Sequence, residues 1–265
     1  MAELKTSYPG GKAGSGVYQT LINQIPPHDT YISATAGHDA VLRYKVPAAR
    51  NVAIDLDPEP LEWWSRDRDD VELLNCCGVE WLRMQFGFYR VPGVAAENHV
   101  TRVPPSTTTQ PGATSADSSE NGGTAATRVF ALLDPPYPAA VRTSGKIYKF
   151  DQLGHEFHAR MLETVKRLPI MVMVCCYPNE YYDTELSDWR SQDYFSVCRS
   201  GEKRRERIWM NYPEPIELHD YRFLGKDRRE RERIKRQQAT LRKKIANLPP
   251  RERAAFLAVA RENQG

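Results

Sequence analysis

Val129-Phe130-Ala131-Leu132-Leu133-Asp134-Pro135-Pro136-Tyr137 is the stretch from which the fold is read. Five apolar residues run without a polar interruption and stop at a carboxylate. A continuous apolar run of this length fits a strand buried on both faces, the habit of parallel sheets covered by helices. Ile170 to Cys176 is a second such run, and Val52-Ala53-Ile54, ending in Asp55, is a third. Tyr31-Ile32 and Val71 to Leu74 read as further strands. Helical readings over His38 to Lys45, Val79 to Phe86 and Asn179 to Leu186 lie among them. Tyr194 to Cys198 and Ile208 to Asn211 look like a hairpin closed by a charged Arg199–Arg207 turn. The alternation predicts an α/β, doubly wound, Rossmann-like fold whose mixed sheet ends in a C-terminal hairpin.

The 265 residues, 40% of them hydrophobic, suffice for one sizeable core. Between Asn98 and Thr127 the composition turns to Thr, Ser, Pro, Gly and Ala. Such a segment buries too little apolar surface to order itself. From Gly225 onward the chain is charged and helical, and Pro249-Pro250 divides it, since proline suits only a helix's first turn. The expected organisation is a catalytic domain over 1–97 and 128–217, a flexible insertion over 98–127, and a basic helical tail over 218–265.

No apolar run approaches the roughly 20 residues that span a bilayer, and the first residues carry no secretory pattern. A monomeric, cytoplasmic protein without a membrane partner is the expectation. Cys76-Cys77 and Cys175-Cys176 are adjacent pairs and Cys198 stands alone, so none shows metal-ligand spacing. His155 and His158 are three apart on a helical reading, which more often marks a helix face than a metal site. No metal is expected. The net charge is only +3, but Arg and Lys cluster over Lys203–Arg207 and Lys226–Lys244, and a local basic patch can hold phosphates.

A strand's carboxyl end in an open α/β sheet is where ligands bind, so Asp134, Pro135, Pro136 and Tyr137 are the candidate chemistry. Two prolines fix φ and supply no amide hydrogen, so the Pro135 carbonyl is presented in a set direction. An exocyclic amine has two N–H donors. Asp134 can accept one and the Pro135 carbonyl the other, which localises the nitrogen lone pair. Tyr137 can stack on a base, worth roughly 1–3 kcal/mol. A base in duplex DNA must first leave the stack. A Pro-rich turn after a buried strand would read the same way in isolation.

Tyr8-Pro9-Gly10-Gly11-Lys12, the Tyr31–Arg43 segment, Ile54-Asp55 and Asp134-Pro135-Pro136-Tyr137 occur in that order. The order resembles the alpha group of DNA adenine methyltransferases, the Dam-like family. Thr143-Ser144-Gly145-Lys146, Tyr177-Pro178 with Tyr182, and Ile208-Trp209-Met210-Asn211-Tyr212 resemble its phage and mobile-element branch. The resemblance spans most of residues 5–215. It implies S-adenosylmethionine as cofactor, DNA as partner, and site-specific methylation of adenine N6. The N4 amine of cytosine suits the same four residues, and a catalytically weakened DNA-binding relative is the other alternative.

Carried over residue by residue, the resemblance places Tyr8, Gly11 and Lys12 near the methionine part of the cofactor. Asp55 would accept from its ribose hydroxyls, with Asp57 as a substitute. Ser33 and Gly37 would belong to the turn along which the cofactor lies, and Cys77 to the position facing its adenine amine. Arg142, Lys146 and Lys149 would contact phosphates and Tyr148 would stack, although an ordinary charged loop reads alike. Two departures stand out. Ser33-Ala34-Thr35-Ala36-Gly37-His38-Asp39 keeps one glycine where the family has an acidic residue and a Gly-rich turn. Cys77 stands where the family often has Asp, and a thiol is a poor acceptor beside a carboxylate. Both predict a weakened or altered cofactor site.

Overall fold

The computed structural model describes residues 10, 12–87, 127–142, 148–151, 154–197 and 201–262. Seven strands form one sheet in the order β3-β2-β1-β4-β5-β7-β6. They are β1 Thr30–Ser33, β2 Arg50–Asp55, β3 Val71–Asn75, β4 Val129–Leu133, β5 Met171–Cys176, β6 Arg190–Val197 and β7 Lys203–Met210. β1 to β5 pair in parallel, whereas β7 runs antiparallel to both β5 and β6. This is the expected doubly wound, Rossmann-like α/β fold, a mixed sheet closed by a C-terminal hairpin.

Alternation within β4 shows why its run is unbroken. Phe130 and Leu132 join one core with Val17, Leu21, Val41, Leu61 and Trp64. Ala131 and Leu133 join the opposite core with Val79, Leu82, Met161, Leu162 and Val165. The first core is built by α1 Val17–Ile22, α2 Ala40–Tyr44 and α3 Pro58–Asp67. The second is built by α4 Gly78–Phe86, α5 His155–Lys166 and α6 Glu180–Glu185. Both faces of β4 are dry, so period-two polarity has no place in it.

Two sequence expectations are corrected here. The hairpin turn is shorter than Arg199–Arg207, because Lys203–Arg207 belongs to β7. Arg205 and Arg207 sit on the solvent side and pair across the hairpin with Asp193, Arg207 at 2.5 Å, while Glu206 between them is buried. The helix foreseen over His38 to Lys45 starts at Ala40, because the Asp39 carboxylate caps it by accepting from Val41 N–H. α1 had no counterpart in the sequence reading.

After β7 the chain returns beneath the sheet, where Asp220 accepts from Val46 N–H and His219 N–H donates to the Ile25 carbonyl. It then enters α7 Arg228–Ala246 and α8 Pro250–Glu262, so the helix break falls at Pro249-Pro250 as expected. No residue of α7 is buried. Among the described residues no helix is long and apolar enough to cross a membrane, and no group of three or more His, Cys, Asp or Glu could hold a metal ion. Only Thr127 of the expected insertion falls within the described residues.

Candidate active site

Strand order reverses between β1 and β4, and a crevice opens there beyond the carboxyl ends of the strands. The two ends are stitched together. Ala34 N–H donates to the Leu132 carbonyl at 2.9 Å, and Asp134 N–H to Thr35 Oγ1 at 2.8 Å. The resulting cleft holds about 870 Å³ including its open mouth. Its walls come from Ser33–Asp39, Asp55–Asp57, Cys77–Val79, Asp134, Pro136 and Tyr148–Phe150.

Of the residues assigned to a cofactor, Ser33, Gly37, Asp55 and Cys77 line this cleft. Asp55 closes β2, with Oδ2 accepting from Gly37 N–H at 2.8 Å and Oδ1 from Asp57 N–H at 2.9 Å. Burial raises its pKa, and those backbone donors pull the other way. Each oxygen keeps a lone pair for a further donor. Asp57 itself caps α3 through Glu59 N–H. Gly37 has φ +42°, and its carbonyl accepts from Trp64 Nε1 at 2.8 Å. Cys77 lies just beyond β3 and lines the cleft. Behind it, a Cβ on Gly78 would come within 1.8 Å of the Ala34 carbonyl oxygen, so the β1 and β3 turns meet backbone to backbone.

Ser33 lines the cleft too, but its hydroxyl donates to Asp39 Oδ2 at 2.8 Å. Tyr31 donates to the same oxygen at 2.9 Å. An acidic group absent at the end of β1 therefore stands one hydrogen bond away, at the cap of α2. Sequence reading counted Asp39 as a mere intruder in a glycine turn. The proximity could have been suspected only from its capping position.

Lys12 is the centre of a buried polar cluster. It has φ +57°, a conformation that costs a non-glycine residue roughly 1–2 kcal/mol. Its ammonium is buried and lies 2.8 Å from Asp134 Oδ2, 2.8 Å from the Tyr137 hydroxyl and 3.1 Å from Glu206 Oε2. These three partners use its three donors. Its ammonium thus stands against Asp134, and Lys12 is not among the residues lining the cleft. Tyr137 donates to Glu206 Oε2 at 2.6 Å and rests edge-on against Tyr177, outside the cleft wall. Tyr194 donates to the same Oε2 at 2.8 Å. Glu206 escaped the sequence reading altogether, because it was placed in a turn.

The charges sort accordingly. Burial pushes the Asp134 carboxyl up to about 6, with Lys12 pulling it down and Glu206 pushing it further up. Burial also works against Glu206, but Lys12, Ser196 and the two tyrosine hydroxyls bring it down to about 2. Desolvation opposes the Lys12 charge, and the two carboxylates outweigh it, holding its pKa well above the lysine norm. Asp134 Oδ1 is buried and has no hydrogen-bond partner. A buried acceptor with no partner in the protein needs an explanation, such as a water, an ion or a substrate donor.

Of the expected nucleic-acid contacts, Tyr148 and Lys149 line the cleft mouth. Tyr148 packs on Gly10, and burial lifts its hydroxyl to about 12. Lys149 is 64% exposed and 3.6 Å from Asp57. Arg142 pairs with Asp151 at 2.7 Å, and both side chains are buried. His158 is also internal, bonded through Nδ1 to the Tyr182 hydroxyl at 2.7 Å. Tyr8, Gly11 and Lys146 lie outside the described residues.

No family model matches the chain, and no curated protein matches it. Several solved structures resemble it. A protein of Thermoplasma acidophilum has 13% identity and a TM-score of 0.39, covering 77% of this chain and 90% of its own. An rRNA methylase of Streptococcus thermophilus has 12% identity and a TM-score of 0.36, covering 74% and 92%. The N-methyltransferase NodS of Bradyrhizobium japonicum has 8% identity and a TM-score of 0.39, covering 75% and 95%.

Proposed function

We propose that this chain transfers a methyl group from S-adenosylmethionine to an exocyclic amine of a nucleic-acid base, with N6 of adenine in DNA as the substrate. The observation that carries the reading is Asp134 Oδ1, a buried, unpartnered carboxylate oxygen at the switch point of the sheet. The choice of adenine and of DNA rests on the order of motifs in the sequence.

The residues present fit the cofactor. Asp55 retains lone pairs for ribose hydroxyls. The bare contact of Gly78 with Ala34 holds the cleft floor, where a side chain would disturb it. Cys77 offers only a weak acceptor. When bound, S-adenosylmethionine supplies an electrophilic methyl on a sulfonium. This chain's work is then positional. Asp134 Oδ1 accepts one N–H of the amine and the Pro135 carbonyl accepts the other, so the nitrogen lone pair points away from both. In-line attack needs orientation more than a strong base. Tyr137 is anchored through its hydroxyl; that its ring stacks on the base rests on its place in the Asp134–Tyr137 motif. Tyr148 and Lys149 meet the strand at the cleft mouth.

The test is transfer of labelled methyl to DNA, with Asp134→Ala as control, followed by mass spectrometry of the nucleosides. N6-methyladenine that vanishes in the control is expected. Label in N4-methylcytosine would reassign the base. Equal label in the Asp134→Ala protein would remove the mechanism, and none in the wild type would favour a DNA-binding relative.

A further inference from the structure

We infer that Glu206 is a positioning residue of this reaction centre: acting through Lys12, it turns the Asp134 carboxylate so that Oδ1 alone is left for the incoming amine. The inference rests on the proposed function for its meaning, but its geometry stands apart from it.

Glu206 faces inward from β7, directly opposite Tyr194 in the hairpin register. One oxygen, Oε2, gathers the Tyr137 hydroxyl, the Tyr194 hydroxyl and the Lys12 ammonium within 3.1 Å. An ammonium has three donors in fixed tetrahedral directions, and here each meets a different group. Its position is therefore set by all three. Two of them, Glu206 and the Tyr137 that Glu206 holds, are fixed by β7. The third is Asp134 Oδ2, which the ammonium draws toward the hairpin. The opposite oxygen stays unpartnered. Without Glu206, Lys12 has one carboxylate partner, and it can swing across both Asp134 oxygens.

Glu206 also differs from a simple stitch between hairpin and sheet. Tyr194 and Tyr137 alone would tie β6 and the catalytic loop together through any acceptor. A charge is needed where the third partner is a buried ammonium. The groups facing Asp134 and Glu206 are Lys12, Tyr137, Tyr194, Ser196, Cys175 on β5, Asp39 and Tyr148. The two carboxylates titrate far apart, Glu206 as the permanent counter-ion and Asp134 as the group near its working point.

The experiment compares full-length wild type with Glu206→Gln. The Asp134 carboxyl is followed by ¹³C NMR across pH, and steady-state methylation is measured alongside. Loss of the second negative charge is expected to increase Asp134 acidity by about tenfold. The acid limb of kcat should move down with it, and kcat should fall about ten- to a hundredfold from misplacement of the acceptor, with KM for DNA little changed. A folded Glu206→Gln protein with the Asp134 midpoint and kcat of wild type would overturn the inference. Should that variant fail to fold, Glu206→Asp keeps the charge and withdraws it by one methylene. A drop of at least about fivefold in kcat is then expected, and an unchanged kcat would refute the positioning role. The two readings fail separately. An Asp134 midpoint that responds to Glu206 in a protein with no methyl transfer would leave the coupling standing and remove the function.

Discussion

Replacing Asp134 by Asn should change how the stability of this protein depends on pH. The folded Asp134 carboxyl titrates at about 6 against an ordinary 3.8. At 1.36 kcal/mol per tenfold, that difference corresponds to about 3 kcal/mol. The sign follows from the direction. A group whose folded pKa is raised favours the protonated state, so its stabilisation is complete below 3.8 and is lost as pH rises through about 6. Asparagine cannot ionise and carries no such loss. Its amide brings a fixed cost of about 1–3 kcal/mol, because the Oδ1 position has no acceptor nearby, but that cost does not vary with pH. The difference in unfolding free energy, variant minus wild type, should therefore rise by about 3 kcal/mol across the whole window, about half of it between pH 5 and pH 8. Urea denaturation of both proteins at pH 5, 6, 7 and 8 measures it, and methyl transfer by the variant should be lost at every pH. Glu206 does not blur the result, because its own loss of stability falls between 4.5 and about 2, below the range measured. Parallel stability profiles for the two proteins would refute the reasoning. They would mean that Asp134 is solvated or fully compensated, and that the cluster around it is not the dry site described.

S-adenosylmethionine should bind more weakly than micromolar by calorimetry, and Cys77→Asp should tighten it about tenfold through a charge-assisted hydrogen bond; wild-type binding at micromolar or tighter would remove the weakened-pocket reading. Gly78→Ala should cost several kcal/mol in urea denaturation, since its Cβ would stand 1.8 Å from the Ala34 carbonyl oxygen; a loss under about 1 kcal/mol would mean that the two turns part easily. Deleting residues 225–265 should flatten the salt dependence of DNA binding, because α7 carries nine Arg and Lys, none of them buried, against two Glu; an unchanged slope by fluorescence anisotropy would exclude the tail from phosphate contact.

The sheet was legible wherever burial on both faces left no polar residue to blur the pattern. β4 and β5 could be placed within a residue from their apolar runs. The hairpin was half legible. Ile208 to Asn211 reads as strand, but Lys203–Arg207 reads as turn, because its charges pair across the ladder with residues outside any local window, Arg207 with Asp193 and Arg205 with the same carboxylate. At the site, Asp134 was visible because it ends an apolar strand, and Asp55 for the same reason. The partnership of Lys12 with Glu206 was not. Lys12 lies outside the regular elements and Glu206 on the last strand but one in the sheet order, and neither carries a local signal of the other. Ser33 and Asp39 show the same limit at short range. A missing carboxylate looked like loss, although the chain supplies one six residues later from a helix cap.

The junction of Lys12 with Glu206 also bears on how the protein is made. Chains emerge amino end first and domains form as their segments become available. Asp134, the cleft and its floor are all complete once β5 can pair beside β4. The ammonium that sets Asp134, however, has its anchoring carboxylate on β7. A nascent chain with its first five strands in place thus has a cleft but no finished centre. Translation must reach the closing hairpin before Lys12, already able to meet Asp134, finds its second carboxylate.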